Sequence, residues 1–239
     1  MSDGLIIDQL KKTQILELLQ EGKRVDGRQF DEPRKLSIDI GVIPKAEGSA
    51  RARLGDTEVV AGVKIQPERP FPDTGDKGML ICTAEILPIA HPSVETGPPQ
   101  PPVVELARVT DRGIRESGML DMKQLVLEKD KSVIGIFCDN AVTDHDGNLF
   151  DACSYASTAA INSCKIPKYE MQDEKPVKIE GEFIEPPITT LPVSVTMAKI
   201  GDFIVVDPTI EEWGIMDARI TITSNSDGNV VALQKGGSD

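Results

Sequence analysis

The sequence predicts an α+β fold formed by two similar halves, and three kinds of pattern support this. Stretches of five to ten residues alternate apolar and polar side chains, as strands with one buried face do. Gly-Asp and Asp-Gly pairs join several of these stretches as hairpins. Each half also contains one helical segment. We expect a single domain over 1–239, with an N-terminal helix at 5–22, a first half at 23–120 and a second half at 121–239.

The helix 5–20, ended by Gly22, precedes the first half, which begins with a set of strands. A hairpin forms around Gly55-Asp56, and loops rich in proline flank the last strand. The expected elements are strands at 36–42, 50–54, 57–65 and 78–87 and a helix at 103–117.

The second half follows the same order and adds an acidic excursion at 171–187, which contains several prolines and which we place on the surface. Small residues in its helix predict close packing. The expected elements are strands at 120–127 and 133–139, a helix at 151–164, a hairpin at 191–206 and a last hairpin at 218–234.

The hairpin at 191–206 is the most informative of these elements. Every second residue from Leu191 to Met197 is apolar, which predicts that this face of the strand is buried. After the turn at Gly201-Asp202, the apolar run 203–206 indicates a strand covered on both faces. The run ends at Asp207, so a carboxylate is expected at the end of a buried strand. Thr209 and Glu212 have the spacing of a capping box.

Composition indicates a soluble, cytoplasmic protein. The four cysteines, Cys82, Cys138, Cys153 and Cys164, form no CxxC pair, which favours core residues in a reducing compartment over a disulfide framework or a zinc site. The chain begins without a basic and then apolar leader, and its apolar runs are shorter than a membrane span.

The net charge of −13 argues against general nucleic-acid binding, because phosphates are repelled by an acidic surface. The charge is unevenly distributed. Residues 1–120 carry 16 Lys and Arg against 19 Asp and Glu, a net −3, and residues 121–239 carry 10 against 20, a net −10. Any basic surface must therefore come from the first half. In the helix 103–117, the spacing of Arg108, Arg112 and Arg115 places them on one side, where they could contact successive phosphates or simply form a solvated face.

Local motifs for catalysis are weak. The segment 144–147, Asp-His-Asp-Gly, lacks the acids that an EF-hand requires at positions 142 and 153, and is better interpreted as a turn. A Cys153–His145 dyad would rest on nearness in sequence alone. The chain has no GxxxxGK or GxGxxG fingerprint, so the sequence gives no support for nucleotide-dependent chemistry.

Five segments in order nevertheless resemble the ribonuclease PH family over nearly the whole chain: 24–34, 49–63, 105–117, 144–152 and 198–213. The resemblance implies a domain of duplicated βαβ units. It also implies degradation of RNA from the 3′ end by phosphorolysis, in which phosphate attacks the last linkage and releases a nucleoside diphosphate.

The chain departs from the active members of that family at three places. The resemblance implies a Gly-Thr/Ser-Arg triplet that holds phosphate at 148–150, and this chain has Asn148, Leu149 and Phe150. Paired arginines that hold RNA are replaced by Pro101 and Pro102. The general-acid aspartate corresponds to Gly201, with Asp202 one place on, whereas Asp207 matches the family's acids. Loss of these groups predicts loss of activity.

The DGNLFDA run at 146–152 is most similar to the non-catalytic ring subunit of the archaeal exosome. That resemblance implies an exosome subunit that alternates, three copies with three, with a catalytic homologue in a hexameric ring. The ring can carry RNA-binding cap subunits and degrades single-stranded RNA. The expected RNA-binding residues are Arg112 and Arg115, with Arg108 a further candidate; no catalytic residue, metal or cofactor is expected. The alternative is a catalytically active phosphorolytic 3′-to-5′ exoribonuclease.

Overall fold

Four α-helices and twelve strands occur in the part of the chain that the structure, a computed structural model, describes: residues 2–173 and 175–237. A 3-10 turn occupies Met122–Leu125. The helices are α1 (Ser2–Gln20), α2 (Pro101–Ser117), α3 (Leu149–Asn162) and α4 (Ile210–Ile215). The strands are β1 (Leu36–Ile40), β2 (Gly48–Leu54), β3 (Thr57–Glu68), β4 (Met79–Ile86), β5 (Val126–Glu128), β6 (Ser132–Asp144), β7 (Ile166–Gln172), β8 (Lys175–Ile184), β9 (Val193–Ile200), β10 (Phe203–Val206), β11 (Ala218–Ser224) and β12 (Val230–Gly237).

The strands form two sheets and a separate ribbon. The first sheet has the order β1-β2-β3-β6-β4, with β5 beside β6, and only its β4–β6 pair is parallel among the described strands. The second sheet is antiparallel, with the order β10-β9-β11-β12, and β7 and β8 pair with each other. Strand β6 belongs to the second half of the chain but lies between β3 and β4 in the first sheet. A division of the chain at residue 120 therefore does not separate the two sheets.

Helices α2 and α3 lie between the sheets and against each other, which confirms the α+β class. Helix α2 packs on β4 of the first sheet and on β11 and β12 of the second, and α3 packs on β2, β3, β6 and β9. The small residues of α3 allow close approach: Ala152, Ala156 and Ala160 are fully buried. A Cβ on Gly48 of β2 would collide with the carbonyl oxygen of Ala160, so a glycine is required there.

Helix α1 covers the outer end of the second sheet. Its Ile15 and Leu19 pack in a small apolar cluster with Ile200, Val205 and Ile215. The four predicted core cysteines are buried and free, as expected. No described helix is both long and apolar enough to span a bilayer.

One predicted strand differs from the structure. Residues 120–125 are not a strand, because the side chain of Asp121 accepts hydrogen bonds from the backbone of Lys123 and the side chain of Gln124 and so stabilises a 3-10 turn; strand β5 covers only Val126–Glu128. The excursion at 171–187 is largely exposed, as predicted, and most of it forms a β-ribbon of β7 and β8.

In the first strand of the hairpin at 191–206, the face that is buried is the opposite of the predicted one. Val193 and Val195 are 51% and 36% exposed, whereas Ser194 and Thr196 are buried. The buried hydroxyls are satisfied by one another across the strands, and Ser194 Oγ lies 2.8 Å from Thr223 Oγ1. Nor is the run 203–206 covered on both faces, since Ile204 is 60% exposed. A face of hydroxyls can therefore pack on α3 because each polar group has a partner.

Candidate functional site

Asp207, at the end of β10, is the centre of a buried polar cluster. Its side chain is 2% exposed and its φ is 52°. Oδ1 accepts hydrogen bonds from Arg34 Nη2 (2.8 Å) and Asn148 Nδ2 (2.7 Å), and Oδ2 accepts from the backbone N (2.8 Å) and Nε (2.9 Å) of Arg34. Arg28 Nη1 lies 3.2 Å from the same Oδ2.

These contacts hold Asp207 as a carboxylate. Burial by itself would raise its pKa, but the hydrogen bonds and charge of Arg34, together with the hydrogen bond from Asn148, outweigh burial and leave the pKa below its usual value. A carboxylate with several fixed donors and a lowered pKa is poorly suited to donate a proton near neutral pH.

Asn148 connects this cluster to the first turn of α3. It is the N-cap, in the left-handed conformation, and its side chain accepts a hydrogen bond from the backbone N of Asp151 and donates to Asp151 Oδ2 at 2.8 Å. Thr196 also donates to both oxygens of Asp151. Burial raises the pKa of Asp151 to about 7, although its hydrogen bonds act in the opposite direction. The N-terminus of α3 is therefore occupied by the protein's own polar side chains.

A pocket of about 320 Å³ lies next to this helix end. It brings together two of the three places at which the family resemblance leads us to expect a departure from active members, because Pro102, Leu149 and Phe150 all line it. The other lining residues are Ile86, Glu105, Leu106, His145, Trp213, Met216, Arg219 and Gly237.

Arg219 forms one wall of the pocket together with two aromatic rings. Its Cζ lies 4.4 Å from the ring centroid of Phe150 and 5.4 Å from that of Trp213. The two ring centroids are 5.8 Å apart. Arg219 Nη2 donates to Glu105 Oε2 at 2.7 Å, so the charge of this guanidinium is neutralised inside the protein.

His145 is uncharged at neutral pH. Burial, with the nearby His91 and Arg34, lowers its pKa to about 4. Its Nδ1 accepts from the backbone N of Gly147, at 3.2 Å, so the proton of the neutral ring lies on Nε2. Cys153 is fully buried in the apolar core, where burial raises its thiol pKa, and it is not placed to act as a nucleophile. No cluster of three or more metal-ligating side chains occurs in residues 2–173 and 175–237.

Position 201, which the family resemblance matches to a general-acid aspartate, does not lie beside Asp207. Gly201 forms the turn at the opposite end of the β9–β10 hairpin from Asp207, whose backbone N bonds to Thr196. The four residues of β10 separate them by about 13 Å at roughly 3.3 Å per residue. A Cβ on Gly201 would lie 2.9 Å from Leu16 Cδ2, so position 201 faces α1.

Arg108, Arg112 and Arg115 lie on the exposed side of α2, as their spacing predicts. They line an open groove of about 670 Å³ between α2, β4 and the two proline-rich loops that contain Phe71 and Pro99. Arg115 is paired with Asp111 at 2.6 Å, and Arg112 Nη1 lies 3.4 Å from Gln234 Oε1. The structure brings the three predicted arginines together in a groove that shares α2 with the pocket.

Sequence reasoning missed Arg34, Trp213 and Arg219. Arg34 belongs to a segment that carried the family resemblance, and this was an available signal. In β11, Arg219 and Thr221 are two residues apart and so lie on the same face of the strand. A charged residue within a strand of alternating pattern was a second signal in the sequence. Nothing in the sequence indicated that Trp213 and Phe150 would meet.

Two family models match most of the chain. Domain 1 of the 3′ exoribonuclease family (RNase PH) matches residues 32–167, and domain 2 matches residues 190–239. The chain belongs to this family. Among curated relatives of the family, the "Exosome complex component Rrp42" of Thermococcus gammatolerans is 47% identical over 237 residues, covering 99% of this chain and 87% of the relative. The protein of the same name from Thermoplasma acidophilum is 47% identical over 231 residues, covering 97% and 86%.

Solved structures of this ribonuclease family support the same fold. A chain of the "archaeoglobus fulgidus exosome with RNA bound to the active site" aligns with a TM-score of 0.90 and 46% identity, covering 98% of this chain and 89% of that chain. A chain of the "Archaeal exosome core" aligns with a TM-score of 0.85 and 44% identity, covering 98% and 87%. The expected ribonuclease PH-like fold is thereby confirmed.

Proposed function

We propose that this chain is a non-catalytic subunit of a cytoplasmic exosome. In this function it alternates with a catalytic homologue of the same family in a hexameric ring of three heterodimers. It helps to shape the active site of that homologue and to bind RNA during 3′-to-5′ phosphorolysis. The similarity to the two archaeal exosome components and to the two exosome structures supports a ring with partner subunits and RNA as its substrate, and RNA-binding cap subunits are a further expected partner.

One observation carries the non-catalytic assignment: the pocket at the first turn of α3 is lined by Pro102, Leu149 and Phe150. Phosphorolysis requires a site that holds inorganic phosphate and an acid or base poised for proton transfer. The cation that lines the pocket, Arg219, is paired with Glu105.

The acids and bases near the pocket already form hydrogen bonds within the protein. Asp207 is fixed by Arg34 and Asn148. His145 is neutral, and its Nδ1 lone pair accepts a hydrogen bond from Gly147. Asp207 is therefore held as a carboxylate, and the unprotonated nitrogen of His145 is not free to accept a proton from a substrate. These contacts favour a supporting role over the alternative of an active exoribonuclease.

The exposed arginines of α2 support the proposed contact with RNA. Arg112 and Arg115, with Arg108 beside them, provide positive charge along one groove on a protein whose net charge is −13. Contacts to phosphates are independent of base sequence and suit a ring that degrades many RNAs.

The test has two parts. The purified chain is incubated alone with poly(A) and inorganic phosphate, and nucleoside diphosphate release is measured; we expect none, and release by a sample free of contaminating nuclease would contradict the non-catalytic assignment. The chain is then mixed with a catalytic homologue and its mass is measured by light scattering. We expect an active hexamer, whereas two separate species would contradict the ring.

A further inference from the structure

We propose that the pocket between Pro102, Phe150, Trp213 and Arg219 binds one unstacked RNA base. The choice of RNA as the ligand rests on the proposed function above. The new element is a base-binding site at the place that corresponds to a degenerate active site in a non-catalytic subunit. It is distinct from the phosphate-binding groove of Arg108, Arg112 and Arg115, with which it shares no lining residue.

The wall of the pocket has the chemistry that recognises planar heterocycles. Unstacked bases in protein complexes stack on aromatic rings and on the flat face of arginine. Phe150 and Trp213 lie 5.8 Å apart, with the guanidinium of Arg219 over both rings. Trp213 is only partly buried, so part of its surface is open to a ligand.

One donor in this wall has no acceptor. Arg219 is 8% exposed, and its Nη1 is buried without a hydrogen-bond partner among the described residues. Its Nη2 is used by Glu105. A buried donor without a partner costs free energy, which is recovered if the guanidinium turns to meet an acceptor on a ligand. The carbonyl oxygens and ring nitrogens of nucleobases are acceptors of this kind.

Charge favours a base over a phosphate. The charged side chains that line the pocket are Glu105 and Arg219, and they form an ion pair with each other. Glu105 Oε1 also accepts from Gln234 Nε2 at 2.9 Å, so this carboxylate is held in place. A dianion would therefore meet no uncompensated positive charge, whereas an uncharged planar group would keep the ion pair intact. The volume of about 320 Å³ is sufficient for one base and its ribose, since ligand pockets span roughly 300–1,000 Å³.

The experiment uses the intrinsic fluorescence of Trp213, the single tryptophan of the chain. The purified chain is titrated with adenosine, uridine, ribose 5-phosphate and inorganic phosphate, with excitation at the red edge of tryptophan absorption. We expect a saturable change with the two nucleosides and none with the two phosphates. Calorimetry on the same samples gives an affinity that does not depend on the fluorophore.

Matched variants distinguish binding in the pocket from nonspecific binding at the protein surface. Phe150 is 5% exposed and packs against Arg219 and Trp213, so Phe150→Leu is expected to loosen this wall and to weaken adenosine binding about tenfold, the size of one lost stacking contact. Phe183→Leu, the same change on the exposed strand β8, is expected to leave it unchanged. Should Phe150→Leu fail to fold, Trp213→Leu and Trp213→Phe are compared by calorimetry. The leucine variant is expected to lose affinity and the phenylalanine variant to keep it.

The proposal is overturned if millimolar adenosine gives neither a fluorescence change nor heat, if phosphate or ribose 5-phosphate displaces adenosine, or if Phe183→Leu weakens binding as much as Phe150→Leu does. A chain that forms an active hexameric ring but does not bind nucleosides would contradict this inference alone. A chain that binds nucleosides but forms no ring would contradict only the ring.

Discussion

The side-chain amide of Asn148 donates a 2.7 Å hydrogen bond to Oδ1 of Asp207. Asn148 stands at the first of the three positions where the family resemblance implies a phosphate-holding triplet, and Asp207 is the acid that matches the family. In this chain the two residues are bonded to each other, and Arg34 contacts the same carboxylate. The helix end is therefore satisfied internally, without a phosphate.

This arrangement predicts that Asp207 contributes more to stability than to chemistry. Asp207→Asn leaves Arg34 and Arg28 without their buried carboxylate and should lower the free energy of unfolding by about 3 kcal/mol at pH 6. Because the pKa of folded Asp207 lies below the ordinary 3.8, its stabilisation is complete above pH 3.8 and is lost as the pH falls through the folded pKa. Urea unfolding at pH 6 and pH 3 measures this, and the difference between wild type and variant should shrink at pH 3.

Asp202→Asn is the control for that experiment, because Asp202 is exposed in the hairpin turn. Its unfolding curve should match the wild type at both pH values. An Asp207→Asn protein as stable as the wild type at pH 6 would show that the ion pairs at this helix end do not stabilise the fold.

A second prediction concerns the buried pair of Arg24 and Glu212. Both side chains are 0% exposed, and Arg24 donates to the two oxygens of Glu212 at 2.9 and 2.6 Å. Glu212→Gln keeps an acceptor for the capping box with Thr209 but leaves the charge of Arg24 uncompensated, so we expect a loss of about 3 kcal/mol in unfolding free energy. Glu211→Gln, at the exposed neighbouring position, should change stability little; equal effects from the two changes would refute the prediction.

A third prediction follows from the position of Gly201. Gly201→Asp should not give phosphorolytic activity to the isolated chain, because the new carboxylate would lie at the far end of the hairpin from Asp207 and against Leu16. The positive φ of 60° should make the change destabilising by about 1 kcal/mol. Gly201→Ala is the matched variant and should be destabilised to a similar extent. Nucleoside diphosphate release by Gly201→Asp but not by Gly201→Ala would contradict this prediction and show that an acid at position 201 can act in catalysis.

The fourth prediction tests the groove on α2. In the assembled ring, Arg112→Ala should weaken single-stranded RNA binding and lower the magnitude of the salt slope, d log K/d log [salt], by about 0.7 for one lost phosphate contact. The measurement is a fluorescence anisotropy titration at several salt concentrations. Lys178→Ala, on the exposed ribbon strand β8, should leave both the affinity and the slope as they are. An unchanged slope for Arg112→Ala would mean that this arginine belongs to a solvated face.

Much of the fold could be predicted because its signals are local. Turns at Gly55-Asp56 and Gly201-Asp202 fix two hairpins, and the Thr209–Glu212 spacing fixes the start of α4. Most of the strand predicted at 120–127 does not form, and the reason is also local. The side chain of Asp121 accepts a hydrogen bond from the backbone N of Lys123, which stabilises a 3-10 turn in place of a strand.

The face of β9 could not be predicted from its apolar pattern. Burial of Ser194 and Thr196 depends on partners in other elements, namely Thr223, Thr221 and Asp151, which supply the hydrogen bonds that each hydroxyl needs. Alternation in a strand identifies two faces, but only the neighbouring elements decide which one is covered.

The class of fold and the family follow from the order and the types of the residues along the chain. The family resemblance also predicts that the residues at 101–102 and 148–150 differ from those of active members. The tertiary structure shows which of these positions meet in one site. It placed Pro102, Leu149 and Phe150 around one pocket with Trp213 and Arg219, and it placed Gly201 against α1. The physical reason is that a pocket is formed by residues distant in sequence, and their meeting depends on how the two sheets pack on α2 and α3.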